Sequence, residues 1–340
     1  SSFFSYFYSE NTDEAFRKLI LKLPIFIAPL LFMSLIKMSN HTKKIGILIL
    51  AYAAYLPAVI SVYNYLSNKT LFDQLILESK PLPIEFGYGI YHIQFSIFIA
   101  LSILFTFYQL IELYQSKKIN LYFYCLLILG VCNFIFIHIL SARTGLLALY
   151  VGLIAMIGLQ FKLLNLKQKI TTLFFMVLIP ICLYFLSSSV QNRVQNSITD
   201  FKVVWKGANA NEYSFAMRVQ AWKNSLLTIQ KHPVLGVGIG DAEKVLYNEF
   251  ATNNPSIEPK NRRNPHFQFL ESSVQSGLIN GFLFLSIVVF SFIQGYRKSN
   301  TLLLSVVISL FISSCFESIL ERQTSLISFV FFIGLALKKK

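Results

Sequence analysis

The stretch LYFYCLLILGVCNFIFIHIL-SAR-TGLLALYVGLIAMIGLQF, residues 121–161, decides the fold. Two apolar runs, assigned to 119–140 and 144–161, flank a three-residue turn at 141–143. Arg143 is the only Asp, Glu, Lys or Arg residue in this stretch. A helix that spans a bilayer needs about 20 apolar residues, and it satisfies its own backbone hydrogen bonds in lipid. The stretch therefore predicts two transmembrane helices joined by a tight turn.

Apolar runs of this kind recur along the chain. Hydrophobic residues make up 55% of its 340 residues and charged residues 14%, whereas soluble domains carry about 25% charged residues. We therefore predict an all-α integral membrane protein, a polytopic bundle of about nine transmembrane helices. The predicted spans are 23–36, 45–65, 90–111, 119–140, 144–161, 170–187, 278–294, 301–316 and 324–337.

The predicted spans divide the chain into three parts. Residues 1–187 hold about six N-terminal spans and residues 278–340 about three C-terminal spans. Residues 188–277 form a large loop between them, and loops longer than about 15 residues usually carry function or their own fold. Because the sequence begins Ser-Ser-Phe-Phe without Met, we expect further spans upstream.

The basic residues predict the orientation in the membrane. One set of short connections and the C-terminal tail hold thirteen of them, with Glu112 as the nearby acid: Lys37, Lys43, Lys44, Lys117, Lys118, Lys162, Lys167, Lys169, Arg297, Lys298, Lys338, Lys339 and Lys340. The opposite side is nearly neutral. Cytoplasmic loops carry the excess of Lys and Arg, so we predict a bacterial inner-membrane protein with a cytoplasmic C-terminus and a periplasmic loop at 188–277. The net charge of +14 thus reflects topology and gives no reason to expect nucleic acid.

Arginine is sorted to the periplasmic side. Seven of the eight arginines lie there: Arg17, Arg143, Arg193, Arg218, Arg262, Arg263 and Arg322. A topology anchor needs only a charge, whereas the planar guanidinium binds phosphate through two parallel hydrogen bonds. The sorting indicates a phosphorylated ligand outside, and the alternative is chance drift in Lys and Arg usage.

The large loop contains a predicted amphipathic helix at 217–231, MRVQAWKNSLLTIQK. Val219, Trp222, Leu226 and Ile229 fall on one helical stripe. The stripe is expected on the membrane surface or against the top of the bundle. The following Gly236-x-Gly238-x-Gly240 lacks the rest of a nucleotide-binding motif, so these residues are interpreted as turn glycines.

His266 is the candidate general base. It lies in Asn264-Pro265-His266-Phe267, just before the chain re-enters the membrane, and histidine takes up protons near neutral pH. The alternative is a loop histidine bonded to backbone. Glu317, in the outer turn before the last span, is predicted to orient His266 or to bind a substrate hydroxyl. Its alternative is a surface salt bridge with Arg322, which would contribute little.

Four arginines are candidate phosphate ligands. Arg143, in the tight turn at 141–143, fits a phosphate clamp, and the alternative is an arginine that extends to lipid headgroups. Arg218 begins the amphipathic helix and would meet a diphosphate or lipid phosphate. Arg262 and Arg263 precede His266 closely; they suit an anionic substrate or form a solvated charge pair.

Histidines and cysteines give no metal site in the sequence. His92 and His138 lie at the outer ends of two spans without metal-ligand spacing, so packing or substrate contacts are expected for them. The cysteines lie inside apolar runs without a Cys-x-x-Cys pair. We predict neither a metal nor a cofactor.

Four stretches together resemble the O-antigen ligase and O-antigen polymerase superfamily. They are SARTGLL at 141–147, MRVQAWKNSLLTIQKHPVLGVGIGD at 217–241, NPHFQFLESSVQSGLING at 264–281 and FESILERQTSLISFVFF at 316–332. The family's Arg-x-x-x-Leu matches Arg143 to Leu147, and its His with ten residues to Gly matches His266 to Gly277. Family members often carry Asn after the histidine, where this chain has Phe267.

The resemblance implies glycosyl transfer from an undecaprenyl-diphosphate-linked glycan to an acceptor hydroxyl, with inversion and without metal. His266 would be the base, assisted by Glu317. Arg143 and Arg218 would bind the diphosphate, with Arg262 or Arg263 as further ligands. The expected function is O-antigen ligation to lipid A-core; the alternatives are a repeat-unit polymerase and a transporter or flippase for lipid-linked sugars. Expected partners are the donor, the lipid A-core or glycan acceptor and membrane lipids.

Overall fold

The computed structural model describes residues 2–27, 30, 40–77, 92–159, 165–206, 211 and 213–337, and these contain helices and no strand. The helices are α1 (Ser2–Tyr6), α2 (Thr12–Lys22), α3 (Asn40–Ser67), α4 (Lys69–Leu77), α5 (His92–Gln115), α6 (Leu121–Leu140), α7 (Arg143–Leu159), α8 (Leu166–Leu186), α9 (Ser188–Lys206), α10 (Ser214–Lys231), α11 (Ala242–Asn253), α12 (Gln268–Arg297), α13 (Thr301–Ser314) and α14 (Gln323–Leu337). A 3-10 turn covers Pro259–Asn261.

Five helices of the described residues are long and apolar enough to cross a membrane: α3, α5, α6, α8 and α12. Three shorter apolar helices, α7, α13 and α14, coincide with the predicted spans at 144–161, 301–316 and 324–337. The predicted span at 23–36 falls largely outside the described residues. The all-helical, multi-pass membrane architecture is thus confirmed, while the number of nine spans and the division at 187 and 277 stay predictions.

The chain forms two compact units. The Arg143 unit comprises Pro29–Val194, Ser291–Ser313 and Val330–Lys340. The His266 unit comprises Ser1–Ala28, Gln195–Phe290 and Ser314–Phe329. Each is described below by itself.

In the Arg143 unit, α5 is buried along most of its length and packs on α3, α6 and α7. Glycines allow the close helix approaches. A Cβ at Gly145 of α7 would lie 2.3 Å from Ser96 Oγ, and one at Gly152 would lie 2.3 Å from Ser309 Oγ. Small residues at helix contacts are typical of membrane bundles, where packing replaces the hydrophobic effect as the driving force.

In the His266 unit, the glycine-rich segment 233–240, which we call the ribbon, packs against a kink in α12. Ser276 and Gly277 leave helical geometry, and Gly277 has φ 80°. The backbone N–H of Val237 donates to the Val274 carbonyl at 2.9 Å, and that of Gly238 donates to the Gln275 carbonyl at 3.1 Å. The ribbon therefore satisfies carbonyls that the kink releases.

The glycines of the ribbon are turn glycines, as predicted. Gly236 and Gly238 have positive φ. A Cβ at Gly236 would lie 2.5 Å from the Val274 carbonyl oxygen, so a side chain there is excluded by both backbone geometry and space.

The N-terminal segment docks on the end of this ribbon. The Asp241 carboxylate accepts the backbone N–H groups of Glu10 at 2.8 Å and Asn11 at 3.0 Å. Asn11 in turn caps α2, because its side chain accepts the Glu14 N–H at 3.1 Å. These bonds fix where α2 begins and so where its last residue, Lys22, lies.

The predicted amphipathic stripe of α10 packs mainly against protein. Ile229 is buried in a cluster with Leu246 and Leu270, and Trp222 packs against that cluster. Leu226 is exposed. An exposed apolar stripe lies instead on α9, which the sequence analysis missed, and consists of Ile198, Phe201 and Trp205.

Candidate functional site

A histidine–glutamate pair forms the centre of the candidate site in the His266 unit. Nδ1 of His266 lies 3.3 Å from Oε2 of Glu317. The His266 side chain is 29% exposed and that of Glu317 only 5%. Among the described residues, no hydrogen bond reaches the other ring nitrogen, Nε2. The pair thus holds one imidazole nitrogen against a buried carboxylate while the side chain as a whole stays partly exposed.

The backbone at His266 has an uncommon conformation, and its two neighbours are held by contacts with Trp222. His266 has φ 47°, an uncommon conformation for a residue other than glycine. The preceding Pro265 is buried, and its carbonyl accepts the indole N–H of Trp222 at 2.7 Å. Phe267, which stands where family members often have Asn, packs against Trp222 with ring centroids 6.2 Å apart. Trp222 therefore contacts the residues on both sides of His266, namely Pro265 and Phe267.

Glu317 is a buried carboxylate that stays ionised. Burial alone would raise the pKa of Glu317, but the hydrogen bond and charge of His266 and the charges of Arg218 and Arg322 outweigh burial and lower that pKa. The whole residue is only 4% exposed, so any pairing of Glu317 with Arg322 involves a buried carboxylate and not a surface one. The structure brings Glu317 into contact with His266, and the two roles predicted for Glu317, orienting His266 or binding a substrate hydroxyl, stay predictions.

Arg218 lies close enough to Glu317 to influence its charge state. It stands near the start of α10 and is half-buried. The structure thus brings together His266, Glu317 and Arg218, whose separation along the chain gave no reason to assume proximity.

Arg262 and Arg263 differ in their surroundings. The Arg262 guanidinium lies over the Tyr247 ring, 4.6 Å from its centroid, which is within the range of a cation–π contact. Arg263 is exposed. Phosphate binding by either residue stays a prediction.

A buried polar network next to this pair escaped the sequence analysis. Lys22 is 7% exposed; its Nζ lies 2.8 Å from Glu321 Oε1 and donates to Gln275 Oε1 at 2.8 Å. The signal available was a lysine at the end of an otherwise apolar turn of helix, together with a second acid four residues after Glu317.

In the Arg143 unit, two arginines lie near each other. Arg143 begins α7 directly after Ser141, which has φ 51°. Arg193 stands on α9, and Ser189 one turn earlier donates to the Ile139 carbonyl at 2.9 Å. Burial lowers the pKa of Arg193 to about 10, and the charge of Arg143 contributes to this shift. Arg193 was predicted to lie on the periplasmic side but was not among the candidate phosphate ligands.

The two histidines of the Arg143 unit differ from His266. His138 is buried; its Nδ1 lies 2.6 Å from the Phe134 carbonyl oxygen and its Nε2 lies 2.7 Å from the Tyr150 hydroxyl. Both ring nitrogens of His138 therefore contact protein atoms, which agrees with the prediction that this histidine serves packing. His92 begins α5 and is half-buried. Within the described residues, no group of three His, Cys, Asp or Glu side chains is arranged to hold a metal ion.

The fold and site define a multi-pass, all-helical membrane protein with a histidine–carboxylate pair beside arginine. Residues 123–285 match the model of the family described as O-antigen ligase. The match covers a little under half of the chain and supports the resemblance to the O-antigen ligase and polymerase superfamily, which is associated with glycosyltransferase-like enzymes and polysaccharide biosynthesis. No curated protein matches the chain. The matched range contains Arg143, Arg218 and His266 and ends before Glu317.

Proposed function

We propose that the protein transfers a glycan from undecaprenyl diphosphate to an acceptor hydroxyl at the periplasmic face of the bacterial inner membrane. The proposed reaction is O-antigen ligation to lipid A-core. The single observation that carries the proposal is the contact between His266 and the buried Glu317, with Arg218 near the same carboxylate.

His266 is the proposed general base. Nδ1–H of the neutral imidazole donates a hydrogen bond to the Glu317 carboxylate, so the lone pair lies on Nε2. Nε2 takes the proton of the acceptor hydroxyl while the acceptor oxygen forms a bond to the anomeric carbon. Glu317 then stabilises the imidazolium, because a buried carboxylate attracts a neighbouring cation strongly.

The arginines are proposed to act on the leaving group. The bond between the anomeric carbon and the diphosphate oxygen breaks as the new bond forms on the opposite face, so the configuration inverts. The electron pair of the broken bond passes to the diphosphate. Arg143 and Arg218 are assigned to neutralise it, with Arg262 or Arg263 as further contacts, because cations placed where charge develops lower the barrier. As the resemblance implies, no metal takes part.

The sidedness of the proposal rests on charge. We assign the lysine-rich short connections and the C-terminal tail to the cytoplasm, and this assignment supports a periplasmic location for His266 and the arginine-rich segments. His92 is retained as a candidate substrate contact at that face, whereas both ring nitrogens of the buried His138 already contact protein atoms.

A gel of lipopolysaccharide tests the proposal. A gene-deletion strain is complemented with the wild type, with His266→Ala, or with His232→Ala as a matched control, since His232 is an exposed histidine of the same unit. We expect the deletion and His266→Ala to leave bare core lipid while polymerised glycan collects on the carrier. The wild type and His232→Ala should restore the full ladder.

Other lipopolysaccharide gel patterns would indicate a different function. Core lipid that carries a single repeat unit in the deletion strain would identify a polymerase. Unpolymerised donor retained on the cytoplasmic side would identify a flippase. A full ladder restored by His266→Ala would refute the assignment of the base in either enzyme.

A further inference from the structure

The buried ion pair between Lys22 and Glu321 lies outside the proposed chemistry. Lysine is almost never fully buried unless it is paired, and here its ammonium lies 2.8 Å from Glu321 and bonds to Gln275 at 2.8 Å. Burial would raise the pKa of Glu321, but the charge of Lys22, whose ammonium lies 2.8 Å from its carboxylate, lowers it. Lys22 therefore keeps a second carboxylate ionised next to the candidate site.

This pair belongs to a network that holds one short segment, residues 317–322. The Ser318 hydroxyl donates to Glu271 Oε2 at 3.4 Å, and the Leu320 backbone N–H donates to Gln268 Oε1 at 2.7 Å. Gln275, the second partner of Lys22, also donates to Glu271 Oε1 at 3.0 Å. The segment that begins with Glu317 is thus bonded directly to the first turn of α12 at two points, and Lys22 links it to Gln275 at a third.

The position of residues 317–322 matters because the contact between Glu317 and His266 is long. At 3.3 Å the contact is near the long limit of a hydrogen bond, so a small displacement of the segment breaks it. Without Lys22, Glu321 would be a buried carboxylate beside the Glu271 carboxylate, and their repulsion disfavours two charges in one site. Relief of that repulsion requires the segment to move or Glu321 to take up a proton.

We propose that Lys22 is a positioning residue that holds Glu317 against His266 through Glu321. The inference rests on the proposed function of that pair. The Asp241 contacts hold α2 in place. The role of α2 is then to supply the ammonium group of Lys22 that pairs with Glu321. Lys22 is proposed to act through Glu321 and not by contact with substrate.

The test measures kcat and KM for glycan transfer with full-length protein in proteoliposomes. We expect Lys22→Met to lower kcat by about 10- to 100-fold, because displacements on the order of 1 Å have this effect, with little change in the KM for the donor. Lys22→Met/Glu321→Gln, which removes both charges, should recover most of that kcat. Lys231→Met is the matched control, because Lys231 pairs with Glu249 at an exposed position, and it should behave as the wild type.

A second comparison separates positioning from general stability. In a His266→Ala background, Lys22→Met should cause no further loss, because the contact it maintains is already gone. A folded Lys22→Met protein with wild-type kcat would overturn the inference, and so would an equal loss in the His266→Ala background. If Lys22→Met does not fold, the double-charge variant decides, and a kcat as low as that of His266→Ala would overturn the inference. Wild-type kcat in His266→Ala itself would instead refute the proposed function.

Discussion

Replacement of Glu317 by Gln removes one charge and almost no volume. Two unit charges at the observed 3.3 Å attract by about 5 kcal/mol at an effective dielectric constant of about 20. The His266 side chain is 29% exposed, so water screens part of this attraction, and Gln retains a hydrogen-bond acceptor for Nδ1. We therefore expect about 2 kcal/mol of lost transition-state stabilisation, or a kcat lower by a factor of about 30.

The assay is single-turnover transfer of a labelled glycan by purified protein in proteoliposomes. Glu317→Gln should lower kcat while the KM for donor stays near the wild-type value, because the lost interaction strengthens only as the imidazolium forms. A variant with unchanged kcat would refute the proposed role of Glu317. A change confined to KM would show that Glu317 binds substrate and does not stabilise the base.

Glu317 also predicts how stability depends on pH. Its folded-state pKa lies below the ordinary value of about 4.5, so its stabilising contribution is complete above that value and is lost as the pH falls through the folded-state pKa. The thermal midpoint of the wild type should therefore fall below about pH 4.5 more steeply than that of Glu317→Gln. Parallel curves for the two proteins would contradict the lowered pKa.

Three further changes have defined outcomes. Gly277→Ala would place a Cβ 1.8 Å from the Val234 carbonyl oxygen at a positive φ, and we expect it to cost about 3 kcal/mol or more of stability; thermal unfolding checks this against Gly158→Ala, whose Cβ meets no atom within 4 Å. Trp222→Phe removes the bond to the Pro265 carbonyl and should cost about 1 kcal/mol, measured as a lower thermal midpoint. Arg218→Lys should lower kcat less than Arg218→Ala but not restore it, since lysine keeps the charge and loses the planar fork; transfer kinetics that rank Lys equal to the wild type would show that charge alone suffices.

The membrane helices could be predicted because their signal is local. Hydropathy over a run of residues identifies α3, α5, α6 and α8 to within a few residues. The kink of α12 was harder, because it depends on contact with the ribbon around Gly236. The predicted span began at 278, directly after the kink, whereas the helix already starts at Gln268 with buried polar residues.

The candidate site could be predicted only in part, because some of its residues depend on contacts between distant parts of the chain. His266 and Glu317 stand in short polar segments next to apolar runs, so their residue types drew attention. Lys22 stands at the edge of a predicted span, where a lysine is ordinarily interpreted as an anchor that extends to the interface. Its burial results from contacts with residues about 250 or 300 positions away, and no periodicity of one segment contains that information. Arg193 was missed similarly, because its burial depends on how α9 packs.

The most direct measurement of the central claim is transfer by purified protein with defined donor and acceptor. Wild type, His266→Ala and His232→Ala are each reconstituted with an undecaprenyl-diphosphate-linked glycan and lipid A-core. The wild type and His232→Ala should form the glycosylated acceptor and release undecaprenyl diphosphate, while His266→Ala should be slower by about 100-fold or more. Equal rates for His266→Ala and the wild type, or movement of the donor across the bilayer without product, would contradict the claim.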